Sequence, residues 1–386
     1  MAKSAVHRGT STTAVHAGEE PDPRSGAINV PIHQSTTFWY PQLPDGRKAP
    51  YIYSRYENPS LESVERKVAA LEGARHSLLF ASGMAAIQAA CTSLLKPKDT
   101  LVVQRGVYGG TSAYLRDELA PTGVKVVTGD AVAPPKVPKG TKLVWMESIT
   151  NPLLRVADVS AWAAAAHDAG ALLAVDATFA SPVLQRPLSL GADLVMHSAT
   201  KYLNGHADVT AGVLSCRPDL RDALWRCRRN TGAILDPHAA YLVGRGMKTL
   251  ALRVERHCAN AWALAQACED NPAIAAVHYP GLTSHPDHKM ARRLLGGGFG
   301  GMLTLDLGSK AKAQAFRRRL QVIVPAASLG GVESLCSLPL ETSHAYATAT
   351  QRKADGIADG LVRVSVGIED IEDLVADVAQ ATSRSS

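Results

Sequence analysis

The sequence lacks the features of a membrane protein, a disulfide-stabilised secreted protein or a repeat protein. No apolar run reaches the roughly 18 residues that cross a bilayer, so no membrane association is expected. The six cysteines form no Cys-x-x-Cys pair and are expected to be reduced, mostly buried thiols of a cytoplasmic protein. Residues 1–8 contain a basic cluster with no apolar segment behind it, so a secretory signal is not expected.

Charges of both signs are scattered along the chain. With 41 basic and 35 acidic residues, the formal net charge is +6 and the sequence pI is near 9.0. The densest basic runs, residues 226–229 and 317–319, are short and accompany no recognised reading motif, so no nucleic-acid partner is expected. A modest basic excess also suits an enzyme whose cofactor and substrates are anionic.

The length of 386 residues corresponds to roughly two or three domains. Proline recurs through residues 1–59 with few periodic apolar positions, which predicts an irregular arm without its own core. An arm of this length is usually functional or packs on something else, and here we expect it to contact a neighbouring subunit. Residues 60–249 and 250–386 are expected to form two α/β domains.

An alternation of apolar runs and helical segments follows the arm. Apolar residues at helical spacing begin at Ser60 and stop at Gly73, which predicts an amphipathic helix. Buried strands are predicted at residues 101–103, 125–127, 143–146, 172–175 and 194–196. Helices are predicted between some of them, at residues 112–119 and 158–169. This order predicts an α/β fold with a mostly parallel central sheet and helices on both faces.

In the last part of the chain, the residue pattern predicts one long helix over residues 237–267 and then a smaller α/β domain. In that domain, strands are predicted at residues 302–307 and 361–366, and helices at 310–320 and 371–382. The glycine-rich run at residues 296–301 lacks the Lys-Ser/Thr ending of a phosphate loop and leads into a strand, so a flexible turn is predicted there.

An acid and a lysine follow two of the predicted strands. Asp176 lies just past one strand, and Lys201 follows the next, with Ser198 and Thr200 beside it. Open α/β sheets place ligand groups at such strand ends. The set matches the needs of pyridoxal phosphate, namely a lysine for its aldehyde, a carboxylate for its pyridine nitrogen and hydroxyls for its phosphate. On spacing alone, a surface Asp–Lys pair remains the alternative.

Two loops add to this pattern. Ser82 is predicted to cap a helix whose first amides, those of Gly83 and Met84, suit a phosphate dianion. The alternative is a simple tight turn into a helix. Tyr108 lies in a short Tyr-Gly-Gly loop, where its ring could stack on a planar cofactor.

With these motifs together, the sequence resembles the cysteine/methionine-metabolism family of pyridoxal-phosphate enzymes. This family contains cystathionine γ-synthase, cystathionine γ- and β-lyases and methionine γ-lyase. The resemblance extends from residues 15–18, Val-His-Ala-Gly, to residues 364–370, Val-Ser-Val-Gly-Ile-Glu-Asp. Its most specific part is residues 185–206, which contains the sequence His-Ser-Ala-Thr-Lys-Tyr. The resemblance implies the aminotransferase-like fold (fold type I), with pyridoxal phosphate as cofactor and a smaller C-terminal α/β domain.

The resemblance also implies roles for individual residues. Lys201 corresponds to the Schiff-base lysine and proton shuttle, Asp176 to the partner of the ring nitrogen, and Tyr108 to the ring-stacking residue and candidate acid. The positions that correspond to phosphate binding are Gly83, Met84, Ser198 and Thr200. Tyr53 and Arg55 correspond to a pair that reaches the phosphate in the neighbouring subunit. The arm would then complete another chain's active site in a homotetramer, a dimer of dimers.

The implied substrate site centres on a clamp for the α-carboxylate. Arg363 and Ser328 correspond to that clamp, for which a bidentate guanidinium is well suited. Asn151 corresponds to the residue near the cofactor's phenolic oxygen, and Asn151 and Tyr53 are also expected to contact substrate. Glu333 and His344 lie near the clamp in the sequence, and structural and catalytic roles both stay open for them.

Several positions depart from the family pattern, among them Arg229 and Asn230, which differ from the Lys-Asp-Met run of methionine γ-lyases. Ala177 replaces an Asn that usually follows the ring-binding Asp, and we expect it to tune the cofactor. Ala327 stands where cystathionine γ-synthases and γ-lyases commonly have a Glu that can pair with the distal amino group. An apolar residue there resembles methionine γ-lyases and some β-lyases, whereas Gly110 differs from the Cys usual in methionine γ-lyases. The reaction class is therefore predicted, and the substrate is left open.

The preferred interpretation is an enzyme of transsulfuration that eliminates or replaces a γ-substituent on a sulfur amino acid. Cystathionine γ-lyase or the related cystathionine γ-synthase comes first, with methionine γ-lyase and cystathionine β-lyase as alternatives. A regulator that binds pyridoxal phosphate and has lost catalysis is the non-enzyme alternative. No metal site is predicted, because His285 and His288 have no third ligand nearby and are expected to lie in a polar surface loop.

Overall fold

The computed structural model describes residues 9–342, 345, 348, 350, 352 and 355–383. Residues 1–8 of the predicted arm and His344 lie outside the described residues. The chain divides into two compact units, one made of Met1–Ser93 and Met196–Leu252 and the other of Leu94–Val195 and Arg253–Ser386. The three-part division predicted above stays a prediction.

Helices and strands alternate through most of the described chain. The helices are α1 (Thr10–His16), α2 (Pro59–Glu72), α3 (Gly83–Leu94), α4 (Gly109–Tyr114), α5 (Val159–Asp168), α6 (Ser181–Leu184), α7 (Arg221–Thr231), α8 (Pro237–Met247), α9 (Leu250–Glu269), α10 (His288–Leu294), α11 (Lys310–Arg319) and α12 (Ile371–Thr382). The strands are β1 (His76–Phe80), β2 (Thr100–Val103), β3 (Lys125–Thr128), β4 (Thr141–Glu147), β5 (Leu172–Asp176), β6 (Leu194–Ser198), β7 (Gly212–Cys216), β8 (Ala276–His278), β9 (Met302–Asp306), β10 (Val324–Pro325), β11 (Leu335–Ser337) and β12 (Leu361–Ser365).

The strands form two sheets. The larger sheet has seven strands in the order β1-β7-β6-β5-β4-β2-β3, and the smaller has five in the order β10-β11-β12-β9-β8. In the larger sheet β2 pairs in parallel with β3 and β4, and β4 pairs in parallel with β5. The pairing of β1 with β7 is antiparallel, so the sheet is mixed. The predicted α/β class, with a smaller C-terminal sheet, is confirmed.

Two strands of the larger sheet, β1 and β7, were not predicted because polar residues interrupt their apolar runs. Ser77 and Ser215 are both buried, and their hydroxyls hydrogen-bond to each other at 2.7 Å across the strand pair. This bond satisfies two polar groups that would otherwise be costly to bury.

Helix α2 confirms the amphipathic helix predicted in the first unit. The side chain of Asn58 accepts a hydrogen bond from the Ser60 amide and caps the helix. Gly73 ends it in the left-handed region with a φ of 70°, where glycine lacks the steric penalty of other residues. The apolar positions at helical spacing are buried, including Leu61, Val64 and Val68.

The single long helix predicted over residues 237–267 is wrong, because the chain turns between α8 and α9. Near the end of α8, a Cβ on Gly246 would lie 2.1 Å from the carbonyl oxygen of Asn204. Two tight backbone hydrogen bonds follow, from Lys248 to Arg245 at 3.2 Å and from Thr249 to Gly246 at 3.3 Å. The helix predicted at residues 112–119 also differs, because α4 gives way to a π-helical turn over Leu115–Leu119.

The smaller sheet lies within the second unit and has its own apolar core. Residues of β9 and β12 pack there with α11 and α12, among them Leu303, Leu305, Phe316, Val364 and Leu374. The two strands and two helices predicted for this region are confirmed to within one or two residues. In the described part of the chain, no helix is both long enough and apolar enough to cross a membrane.

Candidate active site

Lys201 lies in a tight turn directly after β6, in the first unit. Its amide donates to the carbonyl oxygen of Ser198 at 3.1 Å, and its own carbonyl accepts from the Gly205 amide at 2.8 Å. The Thr200 hydroxyl donates to the carbonyl oxygen of Ala211 and accepts from the Ala211 amide, at 3.1 and 2.9 Å. These bonds fix the backbone that carries the lysine, whose side chain is half-buried.

The start of α3 forms a second part of the site in the same unit. Ser82 caps the helix as predicted, because its hydroxyl accepts from the Ala85 amide at 3.0 Å. A Cβ on Gly83 would lie 3.1 Å from both the Cβ and the Oγ of Ser198, so backbone and hydroxyl are in close contact. The first-turn amides, including those of Gly83 and Met84, have no intrahelical partner and lie at the positive end of the helix dipole.

The structure therefore brings Gly83, Met84 and Ser198 together in an arrangement that suits an anion. Thr200 differs from them, because its hydroxyl proton is donated to Ala211. The predicted contact of Thr200 with a phosphate stays a prediction.

Arg55 lies in a stack of aromatic rings in the first unit. Its Cζ is 5.6 Å from the ring centroid of Tyr53 and 5.1 Å from that of Tyr56. Its Nη1 donates to the carbonyl oxygen of Arg229 at 2.9 Å. Cation–π contacts of this kind hold a guanidinium in place. The ring of Tyr53 remains 37% exposed, so it is accessible on this unit.

Asp176 ends β5 in the second unit and is 9% exposed. One oxygen of its carboxylate accepts from both the amide and the hydroxyl of Thr178, at 3.0 and 2.6 Å. Such donors orient a carboxylate and stabilise its charge. The neighbouring Ala177 is completely buried.

Glu147, which the sequence analysis did not single out, lies directly opposite Asp176 in the β4–β5 pairing. It is only 4% exposed. Burial and the adjacent charge of Asp176 raise the pKa of Glu147 well above its ordinary value. One signal was available in the sequence, because Glu147 ends a predicted strand just as Asp176 does.

Tyr108 lies immediately before α4 in the second unit. Its amide donates to the side chain of Glu147, and its carbonyl accepts from the Ser112 amide at 3.0 Å. The side chain is 46% exposed. The backbone is therefore anchored while the ring stays accessible, as stacking on a planar group requires.

Three residues predicted for the substrate site, Arg363, Asn151 and Ser328, contact one another in the second unit. Arg363 on β12 is 7% exposed. Its Nη1 donates to Oδ1 of Asn151 and its Nη2 to the carbonyl oxygen of Ser328, both at 3.2 Å. Ser328 contributes its carbonyl from a backbone with a φ of 115°, which is unusual for a residue with a side chain. Ala327, the residue before it, is exposed.

The prediction that His285 lies in a polar surface loop is wrong, because the residue is 4% exposed. Its Nδ1 accepts from the Asp287 amide at 3.2 Å, and burial lowers the pKa of the imidazole. His288 is half-buried and stacks on Phe299. Among the described residues, no group of three or more His, Cys, Asp or Glu side chains could hold a metal ion.

Comparison with known proteins gives one family over nearly the whole chain. A family model described as Cys/Met metabolism PLP-dependent enzyme matches residues 11–383. The chain is 43% identical over 380 residues to cystathionine gamma-synthase of Mycobacterium tuberculosis, which spans 97% of this chain and 96% of that protein. It is 41% identical over 392 residues to L-methionine gamma-lyase of Pseudomonas putida, which spans 98% of each.

One further relative and one solved structure are also similar to this chain. Cystathionine gamma-lyase of Dictyostelium discoideum is 43% identical over 379 residues, which is 97% of this chain and 97% of that protein. The crystal structure of metB from Corynebacterium glutamicum has a TM-score of 0.92 and 41% identity, and it covers 97% of this chain and 98% of its own.

Proposed function

Because the chain belongs to the Cys/Met metabolism PLP-dependent enzyme family, we propose that it catalyses γ-elimination or γ-replacement on a sulfur amino acid, with cystathionine as substrate. The observation that carries this proposal is the clamp in the second unit. The Arg363 guanidinium is buried and held by Asn151 and Ser328. A planar, fixed guanidinium suits the α-carboxylate of an amino acid.

The residues of each unit fit pyridoxal phosphate. In the first unit, the glycine at the start of α3 lets the backbone approach Ser198, and the amides there would hold the phosphate. Lys201 would bind the aldehyde carbon. In the second unit, Asp176 would pair with the ring nitrogen and Tyr108 would cover the ring face. The cofactor, when bound, supplies an electron sink for charge that develops at the substrate's α-carbon.

The chain's own groups would then carry the reaction. Arg363 orients the substrate through its carboxylate. Lys201, as a neutral amine, would remove the α-proton of the substrate with Nζ and would return a proton farther along the substrate's side chain. Asp176, whose carboxylate is oriented by Thr178, would hold the proton of the ring nitrogen in place. Tyr108 is the candidate acid for the leaving sulfur.

The choice among substrates is the finer part of the proposal. The relatives named as a γ-synthase and a γ-lyase are both 43% identical and the methionine γ-lyase is 41% identical, so identity favours no single activity. Methionine γ-lyase is the second candidate because Ala327 is exposed next to Ser328 and offers no carboxylate to a distal ammonium. Cystathionine β-lyase is the further alternative.

Incubation of the cofactor-loaded protein with L-cystathionine, followed by mass spectrometry, tests the proposal. Cysteine with 2-oxobutanoate would support γ-elimination on cystathionine. Homocysteine with pyruvate would replace the proposal by a β-lyase. If cystathionine is not turned over, methionine and O-acylhomoserine plus cysteine follow as substrates, and the Ala327→Glu variant shows whether a carboxylate at this position restores cystathionine turnover.

A Lys201→Ala variant tests the role of the lysine. We expect it to lose turnover and the absorbance of the covalently bound cofactor while it keeps its fold. Retention of both signals would contradict the assignment of Lys201. Loss of cofactor absorbance in the variant, together with a wild-type protein that turns over none of these amino acids, would favour a regulatory protein.

We also propose a homotetramer, a dimer of dimers, in which Tyr53 and Arg55 complete the site of a neighbouring subunit. Several apolar side chains of the arm are exposed on the single chain, including Ile28 (80%), Trp39 (67%) and Tyr40 (60%). These residues lie close together in the sequence, and contiguous exposed apolar patches are typical of interaction surfaces. A cytoplasmic location is proposed on the six cysteines, which are all free thiols.

A further inference from the structure

Glu147 contacts several residues of the predicted second-unit site, although no role has been assigned to it so far. Its side chain accepts a hydrogen bond from the backbone amide of Tyr108. Its backbone amide donates to Oε1 of Gln104 at 2.7 Å, and the Gln104 side chain donates in turn to the carbonyl of Ala131 at 2.6 Å. Glu147 therefore links three strand or helix ends in one unit.

Asp176 is the titratable group that faces Glu147 across the strand pair. The two residues are register partners, and the Ser148 amide donates to the Asp176 carbonyl at 3.1 Å. Two adjacent buried carboxyl groups cannot both ionise at low cost, so one of them keeps its proton. Gln104, which packs against β4 from the end of β2, is neutral and compensates neither charge.

The surroundings show which member of the pair stays neutral. One carboxylate oxygen of Asp176 accepts hydrogen bonds from the hydroxyl and the amide of Thr178. Asp176 is also more exposed than Glu147. Burial, and then the Asp176 charge, raise the pKa of Glu147, and the amides of Tyr108 and Asn151 only partly oppose that shift. Both observations favour Glu147 as the member of the pair that keeps its proton.

We propose that Glu147 is a positioning residue that remains a neutral carboxylic acid beside ionised Asp176 and fixes the backbone of Tyr108. This inference rests on the proposed function and deepens it. A neutral neighbour leaves Asp176 as a single charge for the ring nitrogen.

Infrared spectroscopy of the apoprotein tests the proton on Glu147 without any turnover. We expect wild type at neutral pH to show the carbonyl stretch of a protonated carboxyl group, and the Glu147→Gln variant to lack it. In an Asp176→Asn variant the neighbouring charge is gone, so this band should titrate away at a lower pH than in wild type. Absence of the band from wild type would overturn the proposal.

Two substitutions separate charge from positioning in the cofactor-loaded protein. Glu147→Gln keeps the shape and the neutral state, so the pH midpoint of the cofactor's absorbance should match that of wild type. A midpoint shifted to lower pH would show that a negative charge had been removed, and would overturn the proposal. Glu147→Ala releases the Tyr108 backbone, and kcat/KM should fall by up to roughly 100-fold, with Gln restoring most of it.

The outcome is distinguishable from failure of the proposed function. If the protein turns over none of the sulfur amino acids, the infrared band and the absorbance midpoint still decide the state of Glu147. If Glu147→Ala does not fold, Glu147→Gln gives the same decision. Equal kcat/KM for wild type and a folded Glu147→Ala variant would contradict the positioning role.

Discussion

Gly83 shows how much of the site depends on a single missing side-chain atom. A Cβ at this position would lie 3.1 Å from the Cβ and Oγ of Ser198 and 3.3 Å from Cε of Met196. These distances are tighter than ordinary van der Waals contact, so Ser198 or the start of α3 must shift to accept a methyl group. The glycine therefore keeps the first-turn amides and the serine hydroxyl close together.

We predict that Gly83→Ala weakens cofactor binding more than it weakens the fold. The dissociation constant for pyridoxal phosphate should rise about tenfold or more, which corresponds to roughly 1.4 kcal/mol, as measured by fluorescence titration of the apoprotein. Gly296→Ala is the matched control, because its Cβ would meet only Leu184 O at 3.6 Å. Equal affinity in the two variants would show that the contact with Ser198 has no part in binding.

Single residues also show what the sequence could and could not predict. Asp176 and Lys201 were predicted from their positions after apolar runs, since ligand groups gather at strand ends. Glu147 has the same kind of position, but its importance depends on the register that sets it opposite Asp176. Register between strands, and the proton that two facing acids must share, cannot be derived from one strand's sequence.

At the scale of secondary-structure elements, the sequence predicted those features that depend on residues adjacent in the chain. The five strands with continuous apolar runs and the capped helix α2 were predicted, because their burial and capping depend on residues adjacent in the sequence. The break between α8 and α9 was missed, and the close contact beside it joins Gly246 to the Asn204 carbonyl, which lies far away in the sequence. Helical periodicity continues across the break and gives no signal of it.

The close approach at the end of α8 leads to a prediction about the turn that carries Lys201. A Cβ on Gly246 would lie 2.1 Å from Asn204 O, and the Asn204 amide donates to Ala199 O at 3.0 Å. We expect Gly246→Ala to displace residues 199–205, to lower the free energy of unfolding by about 1–3 kcal/mol, and to perturb the cofactor's absorbance spectrum.

Gly244→Ala is the control on the same helix. Its Cβ would meet only a Val64 methyl group at 3.0 Å, which a small side-chain rotation can relieve. Urea unfolding and absorbance spectra of both variants make the measurement. The same loss in both variants would indicate a general effect of alanine in α8 and would contradict the proposed link to the Lys201 turn.

A buried carboxylate of helix α12 binds the segment that follows α11. Asp377 accepts from the amides of Gln321, Val322 and Ile323 at 2.8, 2.9 and 2.8 Å. Burial alone would raise the pKa of Asp377, but these three donors together hold it below its ordinary value. Because the folded-state pKa is lowered, this stabilisation is present above the unfolded-state pKa and is lost as pH falls through the folded-state value.

We predict that Asp377→Asn lowers the free energy of unfolding by about 2 kcal/mol at pH 7. The difference from wild type should shrink as pH falls below roughly 4, where the unfolded-state carboxyl group begins to take up its proton. Urea unfolding at several pH values makes the measurement. Glu372→Gln, at an exposed first-turn position of the same helix, should cost less than about 1 kcal/mol. A pH-independent difference for Asp377→Asn would contradict the role of its charge.

At the scale of the whole molecule, the arm leaves several large apolar side chains exposed. Ile28, Trp39 and Tyr40 are more than half exposed. The arm's contacts to α2 are polar, since the Ser60 hydroxyl accepts from the His33 amide at 2.9 Å and Asn58 donates to the His33 carbonyl at 2.9 Å. These bonds fix the arm on its own unit, while its aromatic side chains stay exposed.

The proposed sharing of active sites between subunits gives the final prediction. Arg55→Ala and Lys201→Ala chains should each be nearly inactive alone, the first because it lacks its phosphate contact and the second because it lacks its lysine. When the two are unfolded, mixed and refolded, some assemblies pair a wild-type Lys201 with a wild-type Arg55 from the neighbour. Activity should then return to roughly a quarter of the wild-type value, because random pairing of equal amounts gives such a site on about that fraction of positions. Light scattering on the same mixture confirms that assemblies have formed. Assemblies without recovered activity would show that Arg55 does not act in the neighbouring site, since a residue that serves its own chain cannot be complemented by a partner that lacks the lysine.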